Sequence, residues 1–288
     1  TGENNIAIGK NALGSEDTHD FNIAIGSNAL GTQNAGADAY NVAIGHNAGL
    51  SVTTGVKNVL VGGLSGDALT TGELNVAMGN EALSGDTAGN KSVAIGGSAL
   101  KAQNFSTSTV AANVAVGIFA GTAITTGIQN TLIGAFSGDA LTDADYNVAV
   151  GRNSLSADTL GSKTTAIGRS TLTNQNFTTA TDSFNTAVGY NAGSKVTTGV
   201  QNTLIGGLAG DAMTLGSRNT VLGTDALGGD TLGSKSVAIG HTALFSQNFT
   251  TATDSFNTAV GFSAGNAVTT GVRNTIIGGL AGDGLTTA

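Results

Sequence analysis

A five-residue pattern recurs sixteen times along this chain of 288 residues and constrains its fold more than any other feature. The copy Asn185-Thr186-Ala187-Val188-Gly189 shows it: a polar residue, a β-branched residue, a small residue, an aliphatic residue and glycine. The step from one copy to the next is 17 in most cases, with one step of 19 and three of 21. The copies begin at Asn5, Asn22, Asn41, Asn58, Asn75, Ser92, Asn113, Asn130, Asn147, Thr164, Asn185, Asn202, Asn219, Ser236, Asn257 and Asn274. A short fixed period is the signature of a stacked array of units, so it predicts a solenoid.

From Asn41 onward, three steps of 17 and one of 21 make a 72-residue module. Modules start near residues 41, 113, 185 and 257, and each contains a first, second, third and fourth coil. Within a coil, residues are numbered from the first residue of the pentad, and position 0 is the residue just before it. A solenoid grows by adding coils and needs no domain boundary. We therefore expect residues 1–288 to form one continuous β-solenoid segment of a longer fibre.

The composition excludes several classes of protein. Glycine accounts for 45 residues, but it has no three-residue period and proline is absent, so the chain is not collagen-like. Cysteine is absent, which excludes disulfides and cysteine-based metal sites. Only 10% of residues are charged and the net charge is −8, so nucleic acid is a poor candidate partner. No apolar run approaches the ~18 residues of a membrane span, and we expect no membrane insertion in this segment.

Positions 2 to 5 of the pentad predict a short β-strand. Position 2 is Val, Ile or Thr, position 3 is mostly Ala, and position 4 is always Ile, Val, Leu or Met. This alternation with a period of two, ended by glycine, is typical of a strand. Position 5 is Gly in all sixteen coils, including the module equivalents Gly45, Gly117, Gly189 and Gly261. An unvarying glycine indicates a left-handed backbone angle or the close approach of another chain segment.

A second short strand is expected around position 13 of the coil. That position is often Thr, as in Thr53, Thr125 and Thr197, and an aliphatic residue often precedes it. The predicted coil is therefore strand, turn, strand, turn, and so short a unit leaves no room for a helix as well. The predicted fold class is all-β: a parallel β-solenoid of sixteen coils, with coil lengths of 17 to 21 and two short strands per coil.

Asparagine dominates position 1, where thirteen coils carry it and three carry Ser or Thr. Stacked amides at a strand entrance can hydrogen bond along the stack, so we expect a structural asparagine ladder. A row of asparagines that binds a ligand is the alternative. The ladder positions of the modules are Asn41, Asn58, Asn75, Asn113, Asn130, Asn147, Asn185, Asn202, Asn219, Asn257 and Asn274.

Large side chains exchange places between coils. In the second coil of a module, position 9 is Gly and position 3 is Leu or Ile, as at Gly66 and Leu60. In the third coil, position 9 is Leu and position 12 is Asp, as at Leu83 and Asp86. Volume removed at one site reappears at another, as a packed interior requires. Each coil still offers only about three sizeable aliphatic side chains, so we also expect burial against identical chains.

The segment Asn22-Ile23-Ala24-Ile25-Gly26-Ser27-Asn28-Ala29 resembles the head repeat of YadA-like trimeric autotransporter adhesins. Similar repeats occur in bacteriophage tail-fibre proteins. The resemblance covers nearly the whole chain and implies a left-handed parallel β-roll assembled as a homotrimer. The coils here, with steps of 17 to 21, are longer than the usual unit of that family, which puts the trimer packing of the family in doubt for this chain.

The longer fourth coil of each module carries an inserted loop. The insertions contain Gln-Asn-Phe followed by Ser or Thr, and their central residues are Asn104, Phe105, Asn176, Phe177, Asn248 and Phe249. Each loop holds an Asn-x-Ser/Thr sequence, as does Asn90, so N-glycosylation is one hypothesis. The second is that the phenylalanines cover a core edge or a neighbouring chain. A ledge that binds a ligand is the third.

Catalytic groups do not converge in this sequence. The histidines His19, His46 and His241 are scattered through the repeat, whereas metal ligation or triad chemistry needs groups that meet. We therefore predict no enzymatic activity, no cofactor and no metal site.

Two rows of polar residues leave minor alternatives. Aspartates recur one module apart at Asp67, Asp139, Asp211 and Asp283, where they are expected to form solvated turns. A Ca²⁺ site would need three chains to bring them together on an axis. The threonines at position 13 could order water on a flat face, which leaves ice binding as a lesser alternative.

These observations favour a non-enzymatic extracellular fibre with a structural or adhesive role and repeated surface loops. Three settings are open: a bacterial surface adhesin, the receptor-binding shaft of a phage tail fibre, and a self-polymerising, glycosylated filament. The expected partners are identical chains in a trimer and a glycan or protein of a host surface.

Overall fold

The structure is a computed structural model that describes residues 3–16 and 20–287. The chain divides into two compact units, Thr1–Tyr146 and Asn147–Ala288, which we call the N-terminal and C-terminal units. Each unit contains eight coils, and none of the residues that the structure describes belongs to a helix. The predicted all-β fold, a parallel β-solenoid of sixteen coils, is therefore confirmed. The hand of the coils and the continuity of the two units stay predictions.

Every coil contributes one three-residue strand at positions 2 to 4 of its pentad. In the N-terminal unit these strands are β1 (Ile6–Ile8), β2 (Ile23–Ile25), β3 (Val42–Ile44), β4 (Val59–Val61), β5 (Val76–Met78), β7 (Val93–Ile95), β9 (Val114–Val116) and β10 (Thr131–Ile133). In the C-terminal unit they are β11 (Val148–Val150), β13 (Thr165–Ile167), β15 (Thr186–Val188), β16 (Thr203–Ile205), β17 (Thr220–Leu222), β19 (Val237–Ile239), β21 (Thr258–Val260) and β22 (Thr275–Ile277). Neighbouring strands pair in parallel with equivalent residues side by side, as Val42 beside Val59 shows.

The second strand lies elsewhere than expected. Position 13 forms no strand, because consecutive coils share only isolated backbone bonds there, such as Thr53 N–H to Thr70 O at 2.9 Å. Two-residue strands occur instead in the third and fourth coils of each module. They are β6 (Gly89–Asn90) with β8 (Thr109–Val110), β12 (Gly161–Ser162) with β14 (Thr181–Asp182), and β18 (Gly233–Ser234) with β20 (Thr253–Asp254). The inserted loop thus makes the second strand, because only there does the chain run extended beside its neighbour.

Glycine at position 5 meets both of its predicted requirements. Its φ lies between +128° and +146° in all sixteen coils, a region that L side chains avoid. A Cβ on Gly9 would also lie 2.6 Å from the carbonyl carbon of Gly26 in the next coil. The strand therefore ends where the backbones of successive coils approach closely.

The interior is filled by alternating small and large side chains. Position 3 points inward and is fully buried, as in Ala43 and Leu60. Leu60 occupies the space left by two glycines at position 9, since a Cβ on Gly49 or Gly66 would lie 2.7 or 2.8 Å from its methyl groups. In the third and fourth coils of a module, a Leu at position 9 fills the interior instead, as Leu83 does beside Ala77. The predicted exchange of volume between positions is therefore confirmed.

Three positions of the coil adopt left-handed backbone angles that the sequence did not reveal. Position 0 is left-handed in every coil, from Asn4 (φ 60°) to Arg273 (φ 61°), although Phe, Tyr, Lys and Arg have no preference for that region. Position 7 is also left-handed throughout, and Asn at that position in Asn28 and Asn47 was a usable signal. At position 9, Leu and Gly share the same conformation, as in Leu30 and Gly49.

Candidate functional site

The asparagines at position 1 face the interior and tie successive coils together. The backbone N–H of Asn58 donates to Oδ1 of Asn41 at 2.8 Å, and Nδ2 of Asn58 donates to the carbonyl of Gly72 at 2.9 Å. Most ladder asparagines accept from the backbone N–H of the next coil and donate to a carbonyl in the same two ways. They are Asn41, Asn58, Asn75, Asn113, Asn147, Asn185, Asn202, Asn219 and Asn257. Asn130 donates to the carbonyl of Ala144, and Asn274 donates to Oδ1 of Asn257. Because these side chains are buried, except for the half-buried Asn274, they cannot form an exposed binding row.

A buried polar network occupies position 12 of the third and fourth coils. Gln175 donates from Nε2 to Asp158 Oδ2 at 2.6 Å and to Thr164 Oγ1 at 3.1 Å. The other carboxylate oxygen of Asp158 accepts from the backbone N–H of Phe177 at 3.0 Å and of Gly161 at 3.1 Å. Equivalent bonds join Asp86 to Gln103 and Asp230 to Gln247, and all six side chains are fully buried. Sequence reasoning noted the aspartates but missed their partners, which occupy position 12 of the following coil.

Burial has an electrostatic consequence for this network. The pKa of the Asp230 carboxyl lies above its ordinary value because desolvation disfavours the charged form. The hydrogen bonds from Gln247 and from the backbone N–H groups of Phe249 and Gly233 act in the opposite direction. The network therefore holds the inserted loop in place through the Phe249 backbone, at the expense of a buried carboxyl group.

The inserted loops bury their phenylalanines and expose most of their asparagines. Phe105, Phe177 and Phe249 are 5–7% exposed. The Phe177 ring lies against Gly161 of its own unit, where a Cβ would approach it to 2.8 Å. These rings therefore cover the core edge and cannot present a face to an external ligand.

The loop asparagines accept hydrogen bonds from threonines of the preceding coil. Asn104 and Asn248 are exposed and Asn176 is half-buried. Their Oδ1 atoms accept from the hydroxyls of threonines at 2.9–3.1 Å. The fourth sequon differs, since both Asn90 and Ser92 are buried. Glycosylation of the three loops stays a prediction.

The outer face of the three-residue strands is apolar and exposed. Positions 2 and 4 point outward, and Ile44, Met78, Ile133 and Ile205 are 36–41% exposed. In the N-terminal unit position 2 is Ile or Val in all coils but one, whereas in the C-terminal unit it is Thr in six of eight. None of these outward positions carries a charge. We call this surface the strand face.

Position 0 forms a line of cationic and aromatic side chains beside the strand face. In the C-terminal unit it holds Lys163, Phe184, Gln201, Arg218, Lys235, Phe256 and Arg273, which we call the basic-aromatic line. The Lys163 ammonium lies 5.4 Å from the centre of the Phe184 ring and 2.5 Å from Oδ2 of Asp182. Lys235, Phe256 and Asp254 repeat the arrangement at 5.0 Å and 2.6 Å. Both rings are about half exposed, at 52% for Phe184 and 48% for Phe256.

The recurrent aspartates are separate partly buried groups. Desolvation raises the pKa of Asp67, Asp139 and Asp211. In Asp67 and Asp139, Oδ1 is buried without a hydrogen-bond partner. Among the residues that the structure describes, no group of three or more His, Asp and Glu side chains could hold a metal ion.

The remaining polar residues form no cleft. His46 lies in the N-terminal unit and His241 in the C-terminal unit, while His19 lies outside the described residues. The hydroxyls at position 13 point to the next coil, as in Thr53 Oγ1 to Thr70 O at 3.1 Å, so they stabilise the stack. No pocket occurs in residues 3–16 and 20–287. Within those ranges, no helix is long and apolar enough to cross a membrane.

Comparisons with known proteins add no functional assignment. Protein-family models, curated proteins and solved structures all give no match to this chain. The likeness of the pentad to adhesin head repeats therefore remains a resemblance, and function has to be argued from the surfaces described above.

Proposed function

We propose that this chain is a non-enzymatic, extracellular structural and adhesive fibre segment in which identical chains pack through the strand face, with three chains per fibre. The observation that carries the proposal is the uncharged, exposed or half-exposed surface of positions 2 and 4, which is aliphatic at every position 4 and Ile, Val or Thr at position 2. Contiguous apolar surface of this kind marks an interaction site in a soluble protein.

An identical chain is the occupant that fits this surface best. The face repeats with the period of the coil, so a partner with the same rise per coil can match it along its whole length. A second copy of the chain has that rise by construction, and closed symmetry is the rule for identical chains. The trimer number comes from the resemblance to adhesin heads and tail fibres.

The mass of the native particle in solution tests the assembly. Light scattering should give three times the chain mass of 28.1 kDa. Ile205→Lys should shift the particle to single chains, because a lysine on the strand face leaves a charge unpaired in the interface. Leu215→Lys is the matched control, since Leu215 is 51% exposed in the same coil but lies off the strand face. A wild-type monomer, or equal effects of both variants, would contradict the proposal.

The settings of the fibre remain those expected from the sequence: a bacterial adhesin, a phage tail-fibre shaft, or a glycosylated filament. Imaging the native particle separates them, because the thread would end on a membrane, on a capsid or on neither. Treatment with a deglycosylating enzyme followed by intact-mass measurement tests the third setting. An unchanged mass would remove the glycan from the proposal.

Ice binding is a second candidate, favoured by one specific feature of the C-terminal unit. Its strand face carries a column of exposed or half-exposed threonines, including Thr186, Thr203 and Thr220, beside the aliphatic column at position 4. Parallel strands repeat every ~4.8 Å, so the hydroxyl and methyl groups form a regular flat array. Thermal hysteresis measured on wild type and on the Ile205→Lys variant, whose strand face is expected to be free of partner chains, would detect it. Absence of hysteresis in both proteins would remove this candidate.

A further inference from the structure

We propose that the basic-aromatic line of the C-terminal unit binds a linear acidic polysaccharide. This proposal goes beyond the packing of identical chains. Only the biological role of the binding rests on the proposed adhesive function. The line contains two lysine–phenylalanine pairs, Lys163–Phe184 and Lys235–Phe256, and an aspartate lies beside each pair. An arginine follows each pair at the same coil position.

Each pair and its aspartate offer the groups that a sugar ring needs. An exposed phenylalanine provides an apolar plane for the C–H face of a pyranose, and aromatic planes of this kind dominate small contact surfaces. The neighbouring lysine and aspartate can donate to and accept from sugar hydroxyls. The Lys163 ammonium already lies 5.4 Å from the centre of the Phe184 ring and 2.5 Å from Oδ2 of Asp182. Ligand binding therefore costs little side-chain entropy.

The charge of the line selects an acidic ligand. The line contains four cations, Lys163, Lys235, Arg218 and Arg273. Two carboxylates beside the line, Asp182 and Asp254, pair with its two lysines. The C-terminal unit as a whole contains seven Lys and Arg against seven Asp and Glu, so its net charge is zero. The two arginines therefore provide a local excess of positive charge without a strongly acidic background.

The repeat of the line fits a polymer better than a single sugar. Phe184 and Phe256 are four coils apart, which corresponds to roughly 19 Å at ~4.8 Å per strand. Arg218 lies between them, two coils from each ring. An extended glycan chain can therefore contact ring, arginine and ring in succession, and each added contact strengthens binding through effective concentration.

Nucleic acid fits the line less well, although cations and exposed rings also occur in single-strand binding proteins. A carboxylate stands beside each ring, where Asp182 and Asp254 can accept from hydroxyl groups, which a polysaccharide carries on every sugar and single-stranded DNA lacks along its chain. The first module offers an internal contrast. Its Lys91 has Val110 and Ala112 in place of the aspartate and the phenylalanine, so that module lacks the arrangement.

Binding of the full chain to polygalacturonate, neutral dextran, dextran sulfate and single-stranded poly-dT tests the proposal. Wild type should bind polygalacturonate at least about tenfold more tightly than dextran or poly-dT, and added salt should weaken that binding. The double variants Phe184→Ala/Phe256→Ala and Arg218→Gln/Arg273→Gln should each weaken it by about tenfold or more. Phe262→Ala removes a ring that is 59% exposed outside the line, and it should bind as wild type does.

Several outcomes would overturn the proposal. They are no binding of polygalacturonate, equal binding of dextran, a preference for poly-dT, and full binding by the phenylalanine double variant. Dextran sulfate is the control for simple ion exchange. If the charge of the arginines alone held the ligand, dextran sulfate would also bind, and the phenylalanine double variant would bind it as tightly as wild type does. Light scattering of the same samples reports assembly, so failure of polysaccharide binding and failure of the fibre proposal are distinguishable.

Discussion

The two units of this chain share an interior and differ in their exterior. Both contain the asparagine ladder, the exchange of Leu and Gly at position 9, and the buried Asp–Gln pair, as at Asp86–Gln103 and Asp158–Gln175. Outside, the N-terminal unit has four Lys and Arg against twelve Asp and Glu, a net charge of −8, whereas the C-terminal unit has seven of each. Packing therefore restricts inward residues in every coil, while outward residues can vary and carry function.

Removal of the buried carboxylate should give the largest effect, and the effect should be equal in both units. Asp86→Ala and Asp158→Ala each leave a glutamine Nε2 and two backbone N–H groups without their acceptor. We expect each to lower the free energy of unfolding by about 3–5 kcal/mol, measured by urea denaturation. A loss under about 1 kcal/mol in either unit would show that the interiors are not equivalent.

Truncation of the inward leucine at position 3 should have a slightly smaller effect. Leu60 and Leu204 are fully buried over pairs of glycines, one in each unit. Leu60→Ala and Leu204→Ala should each cost about 3 kcal/mol through the cavity left behind. The matched comparison keeps the volume: Leu60→Met and Leu204→Met should each cost under about 1.5 kcal/mol, because a side chain of similar size leaves no cavity. Equal losses for the Ala and Met variants would contradict the account of interior packing.

The pH dependence of stability should separate the units in a finer way. Desolvation raises the pKa of Asp67 and Asp211 above 3.8, and Glu81 raises the pKa of Asp67 further. At Asp211, Lys195 lowers the pKa by more than Asp225 raises it. A raised carboxyl pKa contributes stability that is fully present below the unfolded value of 3.8 and is lost as pH rises through the folded value. Wild type should therefore gain stability relative to Asp67→Asn as pH falls from 7 to 3. Its gain relative to Asp211→Asn over the same range should be smaller.

Urea denaturation over that pH range measures both differences. Asp283→Asn is the control, because Asp283 is exposed at the same coil position. A loss of wild-type stability relative to Asp67→Asn on acidification would contradict the assignment of burial as the dominant cause.

Exposed lysines at position 0 should matter least to stability. Lys163 is paired with Asp182 at the surface, and Lys91 has Val110 in the equivalent position. Lys163→Ala should lower the unfolding free energy by under about 1 kcal/mol, because surface ion pairs contribute little. Lys91→Ala should change it by less. A larger effect of Lys91→Ala would show that position 0 has a structural role that we have not identified.

The sequence predicted the parts of the fold that repeat with unchanged chemistry. Gly at position 5 recurs in every coil and Ala at position 3 in most, so strand, turn and inward face followed from them. The left-handed angle at position 0 was not predictable, because Phe184, Lys235 and Arg273 have no preference for it and the neighbouring coils impose it. The second strand was misplaced because Thr at position 13 suits a strand, yet its hydroxyl bonds the next coil at a turn.

Candidate sites were predicted less well than the fold. The loop phenylalanines drew attention by their repetition, but repetition also follows from packing, and Phe177 covers the core. The basic-aromatic line was missed because its members are different residues in successive coils. Only the alignment of Lys163, Phe184 and Arg218 on one coil position, which the stacked structure makes visible, identifies them as a group.

The central claim is that equivalent positions of successive coils lie directly over one another, and a distance measurement between spin labels tests it most directly. Thr198 and Thr270 are exposed, share position 14 and lie one module apart in the C-terminal unit. Labels on Thr198→Cys/Thr270→Cys, diluted with unlabelled chain, should give a narrow distribution near the ~19 Å of four strand spacings. A broad distribution centred at much longer distances would contradict the stacked solenoid and the surfaces inferred from it.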